Sequence, residues 1–394
     1  MRVKSTLFLL LAACAIFVVI AQQKDLPPPF ATAPANNRPQ VIAQPEGAKL
    51  DVPKGFQIEI WQEGFKVPRN MILGPGNEVI LSDAASMRAG GGAVYVLQGK
   101  ERKQLIGGLE RPYGLALHDG YLYVGEPESI KRYKYDSKKM TVEPGTEIVA
   151  LKGAPNFSTG HWTRSIVFTP DGKRFCVGVG SGSNVNAGED ERRAAINCYN
   201  PDGTGHEIYA SGTRNPIGLR FYPGTNTLWA AVQERDDLGD DLVPDYFTHI
   251  QKGGFYGWPY AYAGPHEDPR RKGEKPDLVA KTIQGDVLLG SHVAVLDFIF
   301  YTGKQFPKEY QGGAFLAFHG SWNRAKRVGQ SIAFIPFKDG KPSGAITEVV
   351  KGWMLSPDQR QVWGRPVGLL QLPDGSLLIS EDGNNRIWHL SYKG

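Results

Sequence analysis

The stretch WTRSIVFTPDGKRFCVGVG, residues 162–180, contains the pattern that decides the fold. An alternating apolar run leads into Thr-Pro-Asp-Gly, and a second alternating run follows. Asp-Gly turns between such runs are typical of β-hairpins, because glycine adopts the positive φ that these turns demand. We therefore expect a hairpin here, with its turn at residues 170–172.

The same plan recurs along the chain, each time as an apolar strand, a turn and a second alternating strand. The other copies are residues 67–83, 111–126, 215–234, 292–320 and 365–382, of which 292–320 has a longer turn. Their spacing leaves room for two more strands in each copy, which is the size of a propeller blade. The sequence therefore predicts an all-β fold, a six-bladed β-propeller. Two stacked β-sandwiches would not explain why one pattern opens every unit.

The composition agrees with this prediction. The chain has 394 residues, of which 41% are hydrophobic and 22% are charged, so it can bury a sizeable core. Its 48 glycines and 28 prolines are scattered between short β-rich runs, which argues against a helical bundle. The net charge of +5 comes without runs of Lys and Arg, so we expect no nucleic-acid partner.

The first 21 residues are typical of an export signal. Arg2 and Lys4 precede an apolar run at 6–21 that is short for a membrane span. A lipoprotein signal ending at Cys14 is the alternative, which we rank lower because strongly apolar residues continue after that cysteine. We expect a periplasmic or secreted protein that contacts the membrane only if Cys14 is lipidated.

Residues 22–50 form a separate segment by composition. They are rich in Pro, Ala, Asn and Gln and have no apolar period, so we expect a Pro-rich disordered leader. The folded domain is expected at residues 51–394.

Cys176 and Cys198 lie in two successive strand-like runs. In an oxidising compartment they form a disulfide if those strands are neighbours. Two separate small buried residues are an equally good interpretation of the sequence.

Polar residues stand just before the first strand of most copies. In a propeller such residues lie on the rim of one face and point at a shared axial pocket. Several cations aimed at one pocket repel one another unless an anion lies between them, so we expect an acidic ligand. The residues at these positions are Arg69, Tyr113, His161, Arg164, Arg214, Asn215, His292 and Arg365.

Residues 232–266 are the least repeat-like part of the chain. Five aspartates between Asp236 and Asp245 suggest a hard cation such as Ca²⁺, or equally the cap of a short helix. Their spacing does not match an EF-hand loop. The aromatic run GGFYGWPY (253–260) suits stacking on a sugar or a planar cofactor, and packing between blades would use the same residues.

Six motifs together resemble the glucose/sorbosone dehydrogenase family, in its sorbosone-dehydrogenase-like branch. The resemblance extends from about residue 50 to the C-terminus, and it implies a six-bladed propeller that binds pyrroloquinoline quinone (PQQ) and Ca²⁺ and oxidises sugars outside the cytoplasm. The motifs are GHWTR (160–164), SGTRNPIGL (211–219), VQERDDLGDDLVPDYF (232–247), GGFYGWPY (253–260), AFHGSWNR (317–324) and WGRPVGLLQLPDG (363–375).

The resemblance also implies roles for individual residues. His161 is similar in position to the general base, and Arg164 to a residue that polarises the quinone. Glu234 and Arg235 follow Gln233 where backbone carbonyls hold Ca²⁺ in the family, although the turn reads Gln-Glu-Arg-Asp here and Gln-Gly-Pro in the soluble glucose dehydrogenase branch. The implied cofactor-binding residues are Arg69, Arg214, Asn215, His319, Asn323, Arg324, Arg365 and Arg386.

The function implied is that of an exported PQQ- and calcium-dependent dehydrogenase for aldose or sorbosone-type sugars. Hydride would pass from a sugar C–H bond to the quinone, and an external electron acceptor, a quinone or a cytochrome, would reoxidise the cofactor. Two alternatives are a calcium-dependent lactone hydrolase on the same fold and a secreted, non-catalytic glycan-binding propeller.

Overall fold

The computed structural model describes residues 26–88, 90–151 and 159–394. This part of the chain contains six antiparallel sheets, five of four strands and one of five, that correspond to the blades. The first strands of successive sheets contact one another in a closed ring. The predicted six-bladed β-propeller is thus confirmed, whereas the signal-peptide prediction for residues 1–21, with Cys14, lies outside the described residues. No helix in the described ranges is long and apolar enough to cross a membrane.

The first three blades follow one another along the chain. Before them come β1 (Gln40–Val41) and β2 (Phe56–Glu63). Blade 1 contains β3 (Pro68–Leu73), β4 (Val79–Asp83), β5 (Gly92–Gln98) and β6 (Glu101–Leu109). Blade 2 contains β7 (Leu115–His118), β8 (Tyr121–Glu126), β9 (Ser129–Asp136), β10 (Thr141–Val142) and β11 (Thr146–Ala150). Blade 3 contains β12 (Ile166–Phe168), β13 (Phe175–Val179), β14 (Ala195–Tyr199) and β15 (Glu207–Ser211).

The last three blades carry the insertions. Blade 4 contains β16 (Asn215–Phe221), β17 (Leu228–Gln233), β18 (Pro244–His249) and β21 (Val287–Ser291), with β19 (Ala261–Tyr262), β20 (His266–Glu267), a 3-10 turn (Pro269–Arg271) and helix α1 (Pro276–Ala280) inserted before β21. Blade 5 contains β22 (Val295–Phe300), a 3-10 turn (Lys308–Tyr310), β23 (Ala314–Phe318), β24 (Ser331–Ile335), the short pair β25 (Phe337–Lys338) and β26 (Lys341–Pro342), and β27 (Thr347–Val350). After β28 (Gln361–Val362), blade 6 contains β29 (Pro366–Gln371), β30 (Leu377–Glu381) and β31 (Arg386–Tyr392).

Strand β2 closes the ring, because it is the fourth strand of blade 6. It pairs antiparallel with β31, so that Phe56 lies opposite Tyr392 and Glu63 lies opposite Arg386. One sheet therefore holds both ends of the propeller domain together.

Each of the six predicted hairpins forms the first two strands of one blade. In blade 3, Phe168 lies opposite Phe175, and Gly172 in the intervening turn has a φ of 68°. The second strands β4, β13, β23 and β30 are buried along their whole length. Neighbouring blades cover both faces of each sheet, which explains why these strands are nearly continuously apolar.

Residues 26–50 lie against the propeller, although their composition predicted no ordered structure. Strand β1 pairs in parallel with β28, and the side chain of Asn37 donates to the Ala325 carbonyl at 2.8 Å. The segment gains order from polar contacts with loops that are distant in sequence, and an apolar period would not reveal such contacts.

Cys176 and Cys198 face each other on the neighbouring strands β13 and β14 and form a disulfide. The structure therefore decides between the two interpretations that the sequence left open.

Replacing both cysteines by alanine should lower the free energy of unfolding by about 3 kcal/mol, because the bond closes a loop of the unfolded chain. Denaturant unfolding of the wild type with and without reductant measures this change. The double variant is the control and should not respond to reductant. An identical unfolding midpoint for the oxidised wild type and the variant would contradict the prediction.

Candidate functional site

The candidate site lies on the face of the propeller where each first strand begins and each second strand ends; we call it the rim face. Antiparallel pairing brings these two positions together in every blade. In blade 3, for example, the backbone N–H of His161 before β12 donates to the Ser181 carbonyl after β13 at 3.1 Å.

An apolar layer fills the propeller axis next to the rim face, and we call it the floor. Tyr113 is 2% exposed, and its hydroxyl donates to the Leu296 carbonyl on the other side of the axis at 3.1 Å. A ligand bound at the rim face therefore meets an aromatic and aliphatic surface. Each blade contributes one residue to the floor: Ala84, Tyr113, Trp162, Ile217, Leu296 and Val367.

His161 is held in one tautomer. Its Nδ1 lies 2.9 Å from the Ser181 carbonyl oxygen and 3.1 Å from the Ser181 hydroxyl. A carbonyl only accepts, so Nδ1 carries the proton and Nε2 presents its lone pair. Burial, together with the Arg214 guanidinium, lowers the pKa of His161 to about 3. The imidazole is therefore neutral, and its free lone pair is at Nε2.

Gly180 allows His161 to lie beside Asn215. A Cβ at this position would collide with both the His161 Cβ and the Asn215 Oδ1. The Asn215 amide donates to Gln233 Oε1 at 2.9 Å, and its Oδ1 is buried without a hydrogen-bond partner among the described residues. The structure thus brings together the predicted base and one predicted cofactor-binding residue.

Arg214, Asp236 and His292 complete what we call the base cluster with His161. Arg214 Nη2 lies 3.0 Å from Asp236 Oδ2, and His292 Nδ1 lies 3.6 Å from Asp236 Oδ1. Burial alone would raise the pKa of Asp236, but the hydrogen bond with His292 and the charge of Arg214 outweigh it, so the pKa is lowered. Burial likewise favours neutral His292, but the hydrogen bonds to Asp236 and Gly239 raise its pKa. Asp236 therefore carries the negative charge that faces Arg214.

A second group, which we call the arginine cluster, joins blades 1, 5 and 6: Arg69, His319, Arg365 and Asp382. Arg69 Nη1 pairs with Asp382 at 2.5 Å. His319 lies between Asp382 Oδ1 and Arg365 Nη2, at 2.9 Å from each. A guanidinium only donates, so His319 accepts at Nδ1 and donates to Asp382 from Nε2. Burial and the charge of Arg365 lower the pKa of His319 to about 4, which keeps the bridge neutral.

The arginine cluster lies against two aromatic residues of the floor. The Arg69 guanidinium lies 5.4 Å from the Tyr113 ring centre and 5.3 Å from that of Trp162. Trp162 is adjacent to His161 in the chain. Burial alone would raise the pKa of Asp382, but His319 and Arg69 hold it well below the usual range. The arginine cluster is therefore partly neutralised by its own carboxylate.

The turn after Gln233 was predicted to hold Ca²⁺ through the carbonyls of Glu234 and Arg235. The Glu234 carbonyl oxygen accepts from Arg214 Nη1 at 2.5 Å, and the Arg235 guanidinium is fully buried against Asp268 at 3.2 Å. A guanidinium and a metal ion on one carbonyl repel each other, so the turn as it stands does not fit Ca²⁺. The described ranges contain no group of three or more His, Cys, Asp or Glu side chains that could hold a metal.

Arg164 occupies a place different from the one expected for it. Its guanidinium is fully buried and donates to the carbonyls of Pro127, His161 and Thr163 at 3.0, 2.9 and 2.6 Å. These contacts hold the guanidinium against the main chain of His161 and its neighbours.

Three further predicted cofactor ligands are not brought to the arginine cluster. Arg324 donates to the Asp240 carbonyl at 2.6 Å. The Asn323 amide donates to the Ala35 carbonyl at 2.7 Å. Arg386 donates to Gln44 Oε1 at 2.7 Å and lies 3.3 Å from Glu63. Their partners belong to the 236–241 turn, to the leader and, for Glu63, to strand β2.

The aromatic run 253–260 packs between blades 3 and 4, where the backbone N–H of Tyr256 donates to the carbonyl of Ser211 in β15 at 2.9 Å. Tyr256 is 1% exposed and Trp258 is 5% exposed, and the Trp258 indole donates to the Asn184 carbonyl at 2.8 Å. The packing interpretation of this run is therefore the one observed. The neighbouring aspartates lie in a loop and in β18, where Asp245 accepts from the Glu234 backbone, and they do not cap a helix.

The sequence alone did not place Ser181, Asp236 or Asp382 beside the pre-strand residues. Ser181, Asp236 and Asp382 lie after β13, β17 and β30, at the same end of each blade as the pre-strand residues. A search at the ends of both strands of every hairpin would have found them, because antiparallel pairing places these ends together.

His161 should stay neutral, with its proton on Nδ1, from pH 8 to pH 5, because burial and Arg214 lower its pKa to about 3. ¹⁵N NMR of histidine-labelled protein, assigned with a His161→Gln variant, measures the protonation state. A folded-state titration midpoint near the ordinary value of about 6.5 would contradict the assignment.

Comparisons with known proteins show the family and the fold of this chain. A family model described as TrAA12-like matches residues 50–246 and 274–393. The aldose sugar dehydrogenase YliI of Escherichia coli (strain K12) is 30% identical over 178 residues, which is 40% of this chain and 45% of that protein.

Two solved structures share the fold. A Trichoderma reesei structure of carbohydrate-active enzyme family AA12, described as a calcium structure, has a TM-score of 0.75 at 20% identity and covers 91% of this chain and 99% of its own. The holo form of the pyranose dehydrogenase PQQ domain from Coprinopsis cinerea has a TM-score of 0.73 at 18% identity, with coverages of 88% and 98%. The match of the family model to most of the propeller decides the assignment: the chain belongs to the TrAA12-like family.

Proposed function

We propose that this protein is a quinoprotein sugar dehydrogenase that binds PQQ at the rim face and oxidises a sugar there. Membership of the TrAA12-like family supports this, as does the likeness to a PQQ domain and to an aldose sugar dehydrogenase. The observation that carries the proposal is the convergence of Arg69 and Arg365, from opposite ends of the chain, on one buried cluster.

The rim face fits a ligand with several carboxylates. The Nε atoms of Arg69 and Arg365 are buried without a hydrogen-bond partner among the described residues. Each guanidinium therefore keeps a donor for an anion, and forked guanidinium donors match carboxylate geometry. Asp382 neutralises only part of this positive charge, so the arginine cluster still attracts an anionic ligand. The two arginines keep their positions without that ligand, because Asp382 and His319 already bond them.

The base cluster supplies the proton transfer. PQQ, when bound, supplies a quinone that accepts hydride from the sugar carbon. His161 takes the hydroxyl proton at Nε2, because the Ser181 carbonyl holds the proton of Nδ1. Arg164 donates to the His161 carbonyl at 2.9 Å and so fixes the main chain of His161. The base is thus presented in one orientation and one protonation state.

The finer parts of the proposal come from the sequence resemblance. They are an aldose or sorbosone-type sugar as substrate, an external quinone or cytochrome as electron acceptor, and action in the periplasm or outside the cell. No contact among the described residues favours the lactone hydrolase or the non-catalytic glycan-binding propeller over this function.

Substituting Arg365 or Arg69 by alanine should weaken PQQ binding at least tenfold, because each loses a charge-assisted bond worth about 1.5 to 3 kcal/mol. Absorbance titration of the apoprotein with PQQ measures the affinity. Arg386→Ala is the matched control: it removes a guanidinium whose partners are Gln44 and Glu63, and it should bind PQQ as the wild type does.

The turnover assay completes this test. His161→Asn should keep the PQQ affinity and lower kcat for dye reduction by about 10² to 10⁴-fold, the usual contribution of a general base. Wild-type protein that binds no PQQ, or a His161→Asn variant of full activity, would overturn the proposed function.

Calcium is a separate proposal, with the backbone carbonyls of Glu234 and Arg235 as ligands after Arg214 has moved. Arg214→Gln removes the cation that now bonds the Glu234 carbonyl, so it should tighten Ca²⁺ binding relative to the wild type. Calorimetry without PQQ measures this binding. Equal or absent Ca²⁺ binding in both proteins, with PQQ activity unchanged by a chelator, would reject a calcium site at this turn.

A further inference from the structure

Residues 26–42, which we call the leader strap, cross two loops of the rim face. The first is the turn of residues 236–241 in blade 4. Leu26 packs in an apolar cluster with Leu238, the backbone N–H of Phe30 donates to the Leu238 carbonyl at 2.8 Å, and Thr32 Oγ1 accepts from the Asp240 N–H at 2.7 Å.

Gly239 is shaped to admit the strap. Its φ is +116°, and a Cβ there would lie 3.0 Å from both the carbonyl and the hydroxyl oxygen of Thr32. A side chain at this position would push the strap away from the turn.

The second loop is residues 319–327 in blade 5. The backbone N–H of Asn37 donates to the Trp322 carbonyl at 2.8 Å, and its side chain donates to the Ala325 carbonyl at 2.8 Å. Arg327 donates to the Asn37 carbonyl at 2.8 Å, and the Arg38 guanidinium lies 5.4 Å from the Trp322 ring centre.

Asn323 connects the two loops to each other and to the strap. Its Oδ1 accepts from the Asp237 N–H at 2.8 Å, and its Nδ2 donates to Asp237 Oδ1 at 3.1 Å and to the Ala35 carbonyl at 2.7 Å. Asn323 is 2% exposed. Its amide is used completely by these contacts, so it acts through Asp237 and not on a ligand directly.

The inner side of the same turn holds the base cluster. Asp236 pairs with Arg214 at 3.0 Å, and the Gly239 carbonyl accepts from His292 Nε2 at 3.0 Å. The leader strap and the base cluster therefore both bond residues of one short turn.

We propose that the leader strap and Asn323 are positioning elements that clamp the 236–241 turn and so fix Asp236 against Arg214 and His292. The clamp joins loops of neighbouring blades that no β-sheet hydrogen bond connects. Its effect on catalysis rests on the proposed function, whereas its effect on the turn does not.

Hydrogen exchange followed by mass spectrometry tests the clamp directly in the full-length apoprotein. Asn37→Ala combined with Thr32→Ala should speed exchange in residues 234–243 about five- to tenfold or more, because each lost hydrogen bond contributes roughly 0.5 to 1.5 kcal/mol. Exchange in β8 of blade 2 should not change. Thr32→Ser in place of Thr32→Ala keeps the hydroxyl and should restore part of the protection.

Gln44→Ala is the matched control, because Gln44 is a polar leader residue that bonds Arg386 and not the turn. It should leave exchange at residues 234–243 as in the wild type. Unchanged exchange there in the Asn37/Thr32 double variant, or the same increase in Gln44→Ala, would overturn the clamp.

Kinetics provide the second readout. The double variant should lower kcat for dye reduction about five- to tenfold with KM for the sugar changed less than about twofold, since a loosened Arg214–Asp236 pair disturbs the cluster that supplies the proton transfer. An unchanged kcat, with or without a rise in KM, would overturn the positioning role. If the wild type binds no PQQ, the proposed function fails, and the exchange experiment still decides whether the strap clamps the turn.

Discussion

The closure of the ring by strand β2 is the constraint on which the rest depends. Its pairing with β31 joins the N-terminal part of the domain to the last blade, and only a closed ring makes all six first strands converge on one axis. That convergence places Arg69 from blade 1 next to Arg365 and Asp382 from blade 6. Without the closure, these residues would have no common site, because nearly the whole chain separates them.

Charge compensation then decides how the rim face can hold so many cations. Asp382 lies between Arg69 and His319, and Asp236 lies between Arg214 and His292. Each cluster thus contains its own carboxylate, and neutral His319 separates Arg365 from that carboxylate. Such a site is stable before any ligand arrives, yet buried guanidinium donors remain for an anion. The neutral imidazole of His161 belongs to the other cluster, the base cluster.

The arginines illustrate how sequence and structure share the explanation. Arg214 and Arg365 directly precede a first strand and Arg69 lies at the start of one, and this places all three at the rim face, because blade topology fixes where a strand begins. The strand position did not predict where the Arg164 guanidinium points: it donates to three backbone carbonyls, one of which belongs to His161. Nor did it predict that the Arg235 guanidinium pairs with the buried Asp268. A guanidinium on a long, flexible side chain bonds whichever acceptors the packing supplies, and those acceptors come from distant segments.

The sequence by itself determined the all-β class, the number of blades and the position of each hairpin, because strand alternation and turn chemistry are local properties of a few adjacent residues. Only the tertiary structure decided that Cys176 and Cys198 pair, that residues 26–42 lie along the rim face, and that Asn323 bonds Asp237. These outcomes depend on distances between segments far apart in the chain, and neither composition nor periodicity contains those distances.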